Sequence, residues 1–209
     1  MGQTANRKAQ TRMAIRTLYL IRHGQYPPES SGTADEALTP VGQQQAAVTG
    51  QAIKGIPVNT LYYSTMPRAE QTAHIIMTHA FPGVIRKPSE LLREAVAEVP
   101  ERYAAMFENV KPQHLERAAQ QGEEAFNYFF RPAPRVDRYE VLVTHGNLIR
   151  YFVMRALEAS PRLWANFDSH NCGITRIRIG EDGRCTVVSY NDIGHLSPRL
   201  QTDNLRGQG

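Results

Sequence analysis

At 209 residues, 41% hydrophobic and 21% charged, the chain is long enough for one domain with a sizeable core and has the balance of a globular protein. Its formal charge of +4 does not signal nucleic-acid binding, because the first sixteen residues hold Arg7, Lys8, Arg12 and Arg16 with no acid. Without these four, twenty basic residues face twenty acidic ones.

Cys172 and Cys185 are the only cysteines, in a chain too large to need a staple, so a reduced intracellular protein is expected. Neither Cys-x-x-Cys nor His-Glu-x-x-His spacing occurs, so no zinc site is expected. No apolar run approaches the ~20 residues of a bilayer span. A signal-peptide stretch is lacking, and Asn6 breaks the myristoylation pattern. The expected location is cytoplasmic, with mitochondria left open by the basic, acid-free tail.

In chain order, the first element is an apolar run, Leu18-Tyr19-Leu20-Ile21, that stops at Arg22-His23-Gly24. It predicts a buried strand, and ligands in open α/β sheets bind outside the carboxyl ends of such strands. Successive strand side chains point to opposite faces, so Arg22 and His23 share a ligand only if the strand ends between them. Gln25 to Ala37, rich in Pro, Ser, Gly and acids, reads as a mobile loop over that end.

Thr39 as N-cap and Pro40 at the first helical position predict a helix through Ile53, closed by Gly55. Thr60 to Tyr63 reads as a short strand. Ser64, as cap, and Pro67 then predict a helix through Ala80, with Arg68 in its anion-favouring first turn. Val84 to Lys87 reads as a strand ended by a break at Pro88-Ser89. In Ala95 to Lys111, Pro100 argues against one helix, and an insertion covering the site is expected.

His114 to Phe129 predicts a helix with an aromatic, core-type end. Tyr139 to Thr144 is a second buried strand running into His145-Gly146, followed by a helix over Asn147 to Leu157. Ile174 to Ile179 and Cys185 to Tyr190 read as antiparallel strands joined through Gly180 to Gly183. Alternating strands and helices predict an α/β three-layer sandwich with a mostly parallel central sheet and helices on both faces. Residues 1–15 are read as a basic flexible tail, 16–200 as the domain and 201–209 as a second flexible tail.

Arg22, His23, Arg68 and His145 thus all stand at strand ends or a helix start. Converging, they would repel one another unless an anion sat among them, and phosphate matches the forked donors of arginine. Four ordered blocks resemble the histidine phosphatase superfamily, which includes the cofactor-dependent phosphoglycerate mutases. They are Leu20-Ile21-Arg22-His23-Gly24; Leu38-Thr39-Pro40 with Gly42 and Gln45-Ala46; Ser64 with Arg68-Ala69 and Thr72-Ala73; and Thr144-His145-Gly146-Asn147. Within the family the chain is most similar to the mitochondrial Ser/Thr protein phosphatases, through Arg22 to Tyr26, Leu91-Leu92-Arg93-Glu94, Asn147 to Tyr151 and Asp192 to His195. It lacks their membrane-spanning N-terminus and Trp-Asp assembly motif, so anchoring and large assemblies are not expected to carry over.

The resemblance implies a phosphatase using a phosphohistidine on His23. Arg22, Arg68 and His145 would hold the phosphoryl oxygens and Glu94 would serve as acid and base, with Glu98 and Glu101 as nearby alternatives. Gly24, Gln25, Arg93, Gly146 and Asn147 are expected at the substrate, with Tyr26 a further candidate. His74, His79, His114, His170 and His195 are assigned to structure or solvent. No cofactor or metal is expected. The expected partner is a phosphorylated protein or small phosphoester, with no nucleic acid and no membrane span; a homodimer is left open. A mutase is the nearest rival, although the segment after Glu94 is short and lacks the Tyr-Gly and lysine-bearing stretch that holds phosphoglycerate. A phosphate-binding scaffold with little turnover is the rival of another class.

Overall fold

A computed structural model describes residues 13–27, 37–96 and 98–203. Strand β1 (Arg16–Arg22), buried along its whole length, lies inside a six-stranded sheet with β2 (Thr60–Ser64), β3 (Ile85–Ser89), β4 (Arg138–Thr144), β5 (Ile174–Ile179) and β6 (Cys185–Asp192). The strand order is β3-β2-β4-β1-β5-β6. The first four are mutually parallel, while β5 runs antiparallel to β1 and β6 antiparallel to β5.

The period-two pattern of β1 decides what each face carries. Leu18 and Leu20 join a core with Ala125 and Phe129 of α3 (Pro112–Phe129) and Leu148, Ile149 and Phe152 of α4 (Gly146–Ala156). Tyr19 and Ile21 face the other way, onto Ile53 of α1 (Pro40–Ile53) and Ala69, Ala73 and Ile76 of α2 (Pro67–Ala80). The result is the expected sandwich, with a mostly parallel sheet between two helical layers.

The cap of α1 forms as its sequence predicts: Thr39 accepts from the Gly42 N–H at 3.0 Å, Pro40 opens the first turn, and Gly55 follows the helix with φ +95°. At α2 the prediction is corrected. Met66 is the N-cap and makes no side-chain cap bond, while the Ser64 hydroxyl accepts from Met66 N–H at 3.2 Å and serves elsewhere. The break expected at Pro88-Ser89 is likewise absent, because β3 includes both residues. It pairs only with β2, and an edge strand tolerates a proline that cannot donate.

Other boundaries shift by one or two residues; among them, α3 begins at Pro112, two residues before His114, and β6 continues past Tyr190 through a register irregularity in its pairing with β5. Asn191 there has φ +47°. Most of the loop read at Gln25 to Ala37 lies outside the described residues, as do 1–12 of the N-terminal stretch and 204–209 of the C-terminal one. The described ends are tied to the body. Ile15 N–H donates to Asp137 at 3.0 Å, and Thr202 accepts from the Asn171 N–H at 2.9 Å and from Gln45 at 2.7 Å.

Parallel pairing brings three strand ends level. Arg22 lies opposite Thr144, and Tyr63, just before Ser64, opposite Val143. The carboxyl edge of β2, β4 and β1 is therefore where the loops carrying His23, His145 and Arg68 meet.

Candidate active site

His23 follows the last residue of β1, so its side chain is released from the alternation that governs Arg22. Its N–H donates to the Thr144 carbonyl at 2.9 Å, and its own carbonyl accepts from Asn171 Nδ2 at 3.0 Å. The ring is buried, 2% exposed. Nδ1 lies 2.8 Å from the Gly24 carbonyl, and because a carbonyl only accepts, Nδ1 must carry the proton. Nε2 is then the lone-pair atom, and Arg68 Nε donates to it at 3.2 Å.

Burial, with His145, Arg22 and Arg68 around it, holds the His23 pKa well below its ordinary 6.5, against a small opposing pull from the Gly24 carbonyl. The imidazole is neutral, as a nucleophile must be.

His145 caps the start of α4 and is fully buried, its ring 5.0 Å from that of His23. Nε2 pairs with the Ser64 hydroxyl at 2.8 Å, while the buried Nδ1 has no hydrogen-bond partner among the described residues. Burial and then Arg68, Arg22 and Arg93 hold this pKa well below 6.5 as well. Arg22 reaches from β1 to the Ser169 carbonyl, and Arg68 lies with its guanidinium 4.5 Å above the Tyr26 ring. Both arginines are only 5% exposed.

Glu94 follows a short 3₁₀ turn (Glu90–Leu92) and accepts from the backbone N–H of Ala95 at 3.2 Å and from that of Asn147 at the start of α4. Burial raises its pKa above 4.5, although Arg22, Arg68 and those two N–H groups pull the other way. A neutral base with its lone pair fixed therefore shares a site with a carboxyl group that keeps its proton more readily than usual. The two arginines supply the positive charge.

Glycine permits the close approach that brings these loops together. A Cβ on Gly24 would lie 2.5 Å from the Gly42 carbonyl, and one on Gly42 would lie 2.1 Å from the Gln25 carbonyl. The Gly24 N–H donates to Thr72 of α2 at 3.0 Å, and Thr72 in turn donates to the Arg68 carbonyl at 2.7 Å. The strand end and the arginine-bearing helix are thereby locked in one frame.

Of the expected substrate contacts, Gly146 and Asn147 line a cavity of about 270 Å³ that also touches Arg22 and Glu94. Gln25 is not brought there. Its side chain accepts from the Thr39 hydroxyl at 2.8 Å, which makes it part of the α1 cap assembly. Arg93 is exposed and bonded to Thr65 at 3.1 Å, at the rim on the His145 side. Glu98 pairs with Arg162 at 2.7 Å.

Sequence reading missed the partnership of Ser64 with His145, having assigned Ser64 to a helix cap. It also missed Ser169 and Trp164, which come from segments far along the chain with no local signature. Among the described residues, Asp168, His170 and Asp203 bring ligand-type atoms within 4.8 Å of one another. His170 is also bonded to the Asn191 amide at 3.0 Å.

A family model for the histidine phosphatase superfamily (branch 1) matches residues 18–193. Among curated proteins, the mitochondrial serine/threonine-protein phosphatase PGAM5 of Mus musculus is 35% identical over 189 residues, covering 88% of this chain and 65% of its own length. Its counterpart in Caenorhabditis elegans is 35% identical over 190 residues, covering 88% and 66%. The chain thus spans just under two thirds of the length of these relatives. Among solved structures, a Plasmodium falciparum phosphoglycerate mutase is similar with TM-score 0.61 and 26% identity over 88% of this chain and 93% of that one. Bacillus stearothermophilus YhfR, at 20% identity, shares the fold with TM-score 0.69 over 87% and 100%.

Proposed function

The chain belongs to the histidine phosphatase superfamily, and on that premise we propose that it hydrolyses phosphomonoesters through a phosphohistidine formed on His23. The observation that carries this reading is the fixed tautomer of His23. Gly24 holds the Nδ1 proton, so the Nε2 lone pair stands among Arg22, Arg68 and His145.

In the first step Nε2 attacks phosphorus opposite the ester oxygen, and the N–P bond forms as the P–O bond breaks. Arg68 gives up its bond to Nε2 as the phosphoryl group enters, and Arg22, Arg68 and His145 then hold the phosphoryl oxygens while the transition state forms. Glu94 gives its proton to the leaving oxygen. In the second step the Glu94 carboxylate takes a proton from water, the water oxygen bonds to phosphorus, and the N–P bond breaks. Inorganic phosphate leaves, and His23 is neutral again with Glu94 protonated.

The curated relatives are named as serine/threonine-protein phosphatases, which supports a phosphorylated protein as one substrate of this chain. They are also named mitochondrial, in keeping with an intracellular setting. Among the described residues, no helix is long and apolar enough to cross a membrane.

Phosphate release from an aryl phosphate in the presence of a chelator tests the reading. Turnover by the wild type is expected, and a wild type that binds phosphate without turnover would instead be a recognition module. A phosphoglycerate with a bisphosphate primer should be hydrolysed rather than isomerised; isomerisation would replace the hydrolase with a mutase.

A further inference from the structure

Beside the phosphate end of the site lies a second region that the mechanism leaves unused. The cavity bounded by Arg22 and Glu94 continues between two 3₁₀ segments, Glu101–Phe107 and Pro161–Asn166. Tyr103, Phe107, Trp164 and Phe167 supply most of its apolar wall, and Met106, 75% exposed, lies at the edge.

This wall is built rather than incidental. The Tyr103 and Trp164 rings lie nearly parallel, 22° apart with centroids at 6.3 Å. Trp164 Nε1 donates to the Glu98 carbonyl at 2.5 Å, the Glu98 carboxylate pairs with Arg162 at 2.7 Å, and Arg102 donates to Asn166. These bonds tie the Pro161–Asn166 segment to Glu98 and Arg102, and both rings line the cavity.

Two facts decide what such a space receives. First, Glu94 lines it, and the leaving oxygen must come within hydrogen-bond reach of Glu94 to be protonated, so the remainder of the leaving group enters this cavity. Second, its wall carries charges of both signs. Arg150 donates to Asn147 at 3.1 Å and lies 5.6 Å from the Trp164 ring centre, and Asp168 at the same cavity opposes any second anion.

Resting on the phosphatase reading, we infer that the cavity between Tyr103 and Trp164 selects phosphomonoesters whose alcohol carries an aromatic or similarly bulky apolar group close to the ester oxygen. A carboxylate-bearing alcohol, such as that of a phosphoglycerate, would meet the Asp168 carboxylate there. Burying a phenyl-sized group on such a wall corresponds to about tenfold or more in affinity.

Non-hydrolysable phosphonates separate this selectivity from turnover. Calorimetric titration of the full chain with 2-phenylethylphosphonate, ethylphosphonate and phosphonoacetate should show the phenyl compound binding at least about tenfold more tightly than either of the others. Trp164 is the only tryptophan of the chain, so its fluorescence should respond to the phenyl compound and reverse when inorganic phosphate displaces it. Tyr103→Ala should shrink the phenyl-to-ethyl affinity ratio, and Tyr103→Phe should restore it.

Equal affinities, tightest binding of phosphonoacetate, or a phenyl preference with silent Trp164 fluorescence would each overturn the selectivity while the phosphate site stood. Failure of all three phosphonates and of inorganic phosphate to bind would remove the phosphatase reading, and the selectivity with it.

Discussion

Arg68 Nε donates to His23 Nε2 across 3.2 Å, so the guanidinium that would hold a phosphoryl oxygen also holds the lone pair that would attack phosphorus. A single helix start therefore sets both the electrostatics and the aim of the site. With Nδ1 committed to the Gly24 carbonyl, His23 has one tautomer and one orientation.

Replacing this nucleophile has a large expected effect. His23→Ala should lower turnover of an aryl phosphate by about 10³-fold or more, as loss of a nucleophile does elsewhere. It should also abolish the acid-labile, base-stable phosphoenzyme detected after rapid quenching. A variant that still formed that intermediate would place the phosphoryl group on another residue.

Glu94 sets the basic side of the pH profile. Its raised pKa keeps the acid form present above the ordinary 4.5, while the lowered pKa of His23 keeps the nucleophile neutral below 6.5. On a poor leaving group, kcat/KM should therefore fall as pH rises through the Glu94 pKa, and Glu94→Gln should erase that limb. The same substitution should cost about 10²-fold or more on alkyl phosphates and far less on activated aryl esters. Equal losses on both would assign the acid elsewhere.

Stability should depend on pH through the two buried histidines. Both fold with pKa values below the unfolded 6.5, so in that window the unfolded chain binds more protons. Their contribution is full above about pH 6.5 and is lost as pH falls toward the folded values. The melting temperature of the wild type should drop through this window on acidification, and His145→Gln should show a shallower drop. Glu94 acts with opposite sign: its contribution is present at low pH and lost as pH rises through its own raised pKa.

The Ser64 hydroxyl, 2.8 Å from His145 Nε2, can be tested by denaturant titration. Ser64→Ala leaves a fully buried ring nitrogen without a partner and should cost about 1–3 kcal/mol. Turnover should fall as well, because the ring loses the contact that orients it.

Gly42→Ala places a Cβ 2.1 Å from a backbone carbonyl that cannot turn aside, so α1 or the chain after Gly24 must move. The expected cost is about 1–3 kcal/mol, with a marked loss of phosphate release because the chain displaced adjoins His23. Thermal melting and turnover should fall together.

By itself the sequence determined most of the elements and put forward most of the residues of the proposed phosphate site. Apolar runs that stop at His23 and His145 name two buried strands whose ends carry the proposed site, and Thr39-Pro40 names a helix start, because periodicity and capping act over a few residues. Arg68 was legible from its place in the first turn of a helix, whereas the role of Glu94 came only through a resemblance, since it has no local pattern that separates it from a solvated side chain. Tertiary structure alone decided that Ser64 serves His145 rather than a helix cap, that Gln25 belongs to the α1 cap assembly, and that Pro88 lies within an edge strand. It alone brought Tyr103 and Trp164 together beside Glu94. Each of these depends on residues 14 to 81 positions apart meeting in space, and chain separation of that length leaves no trace in the pattern of neighbouring residues.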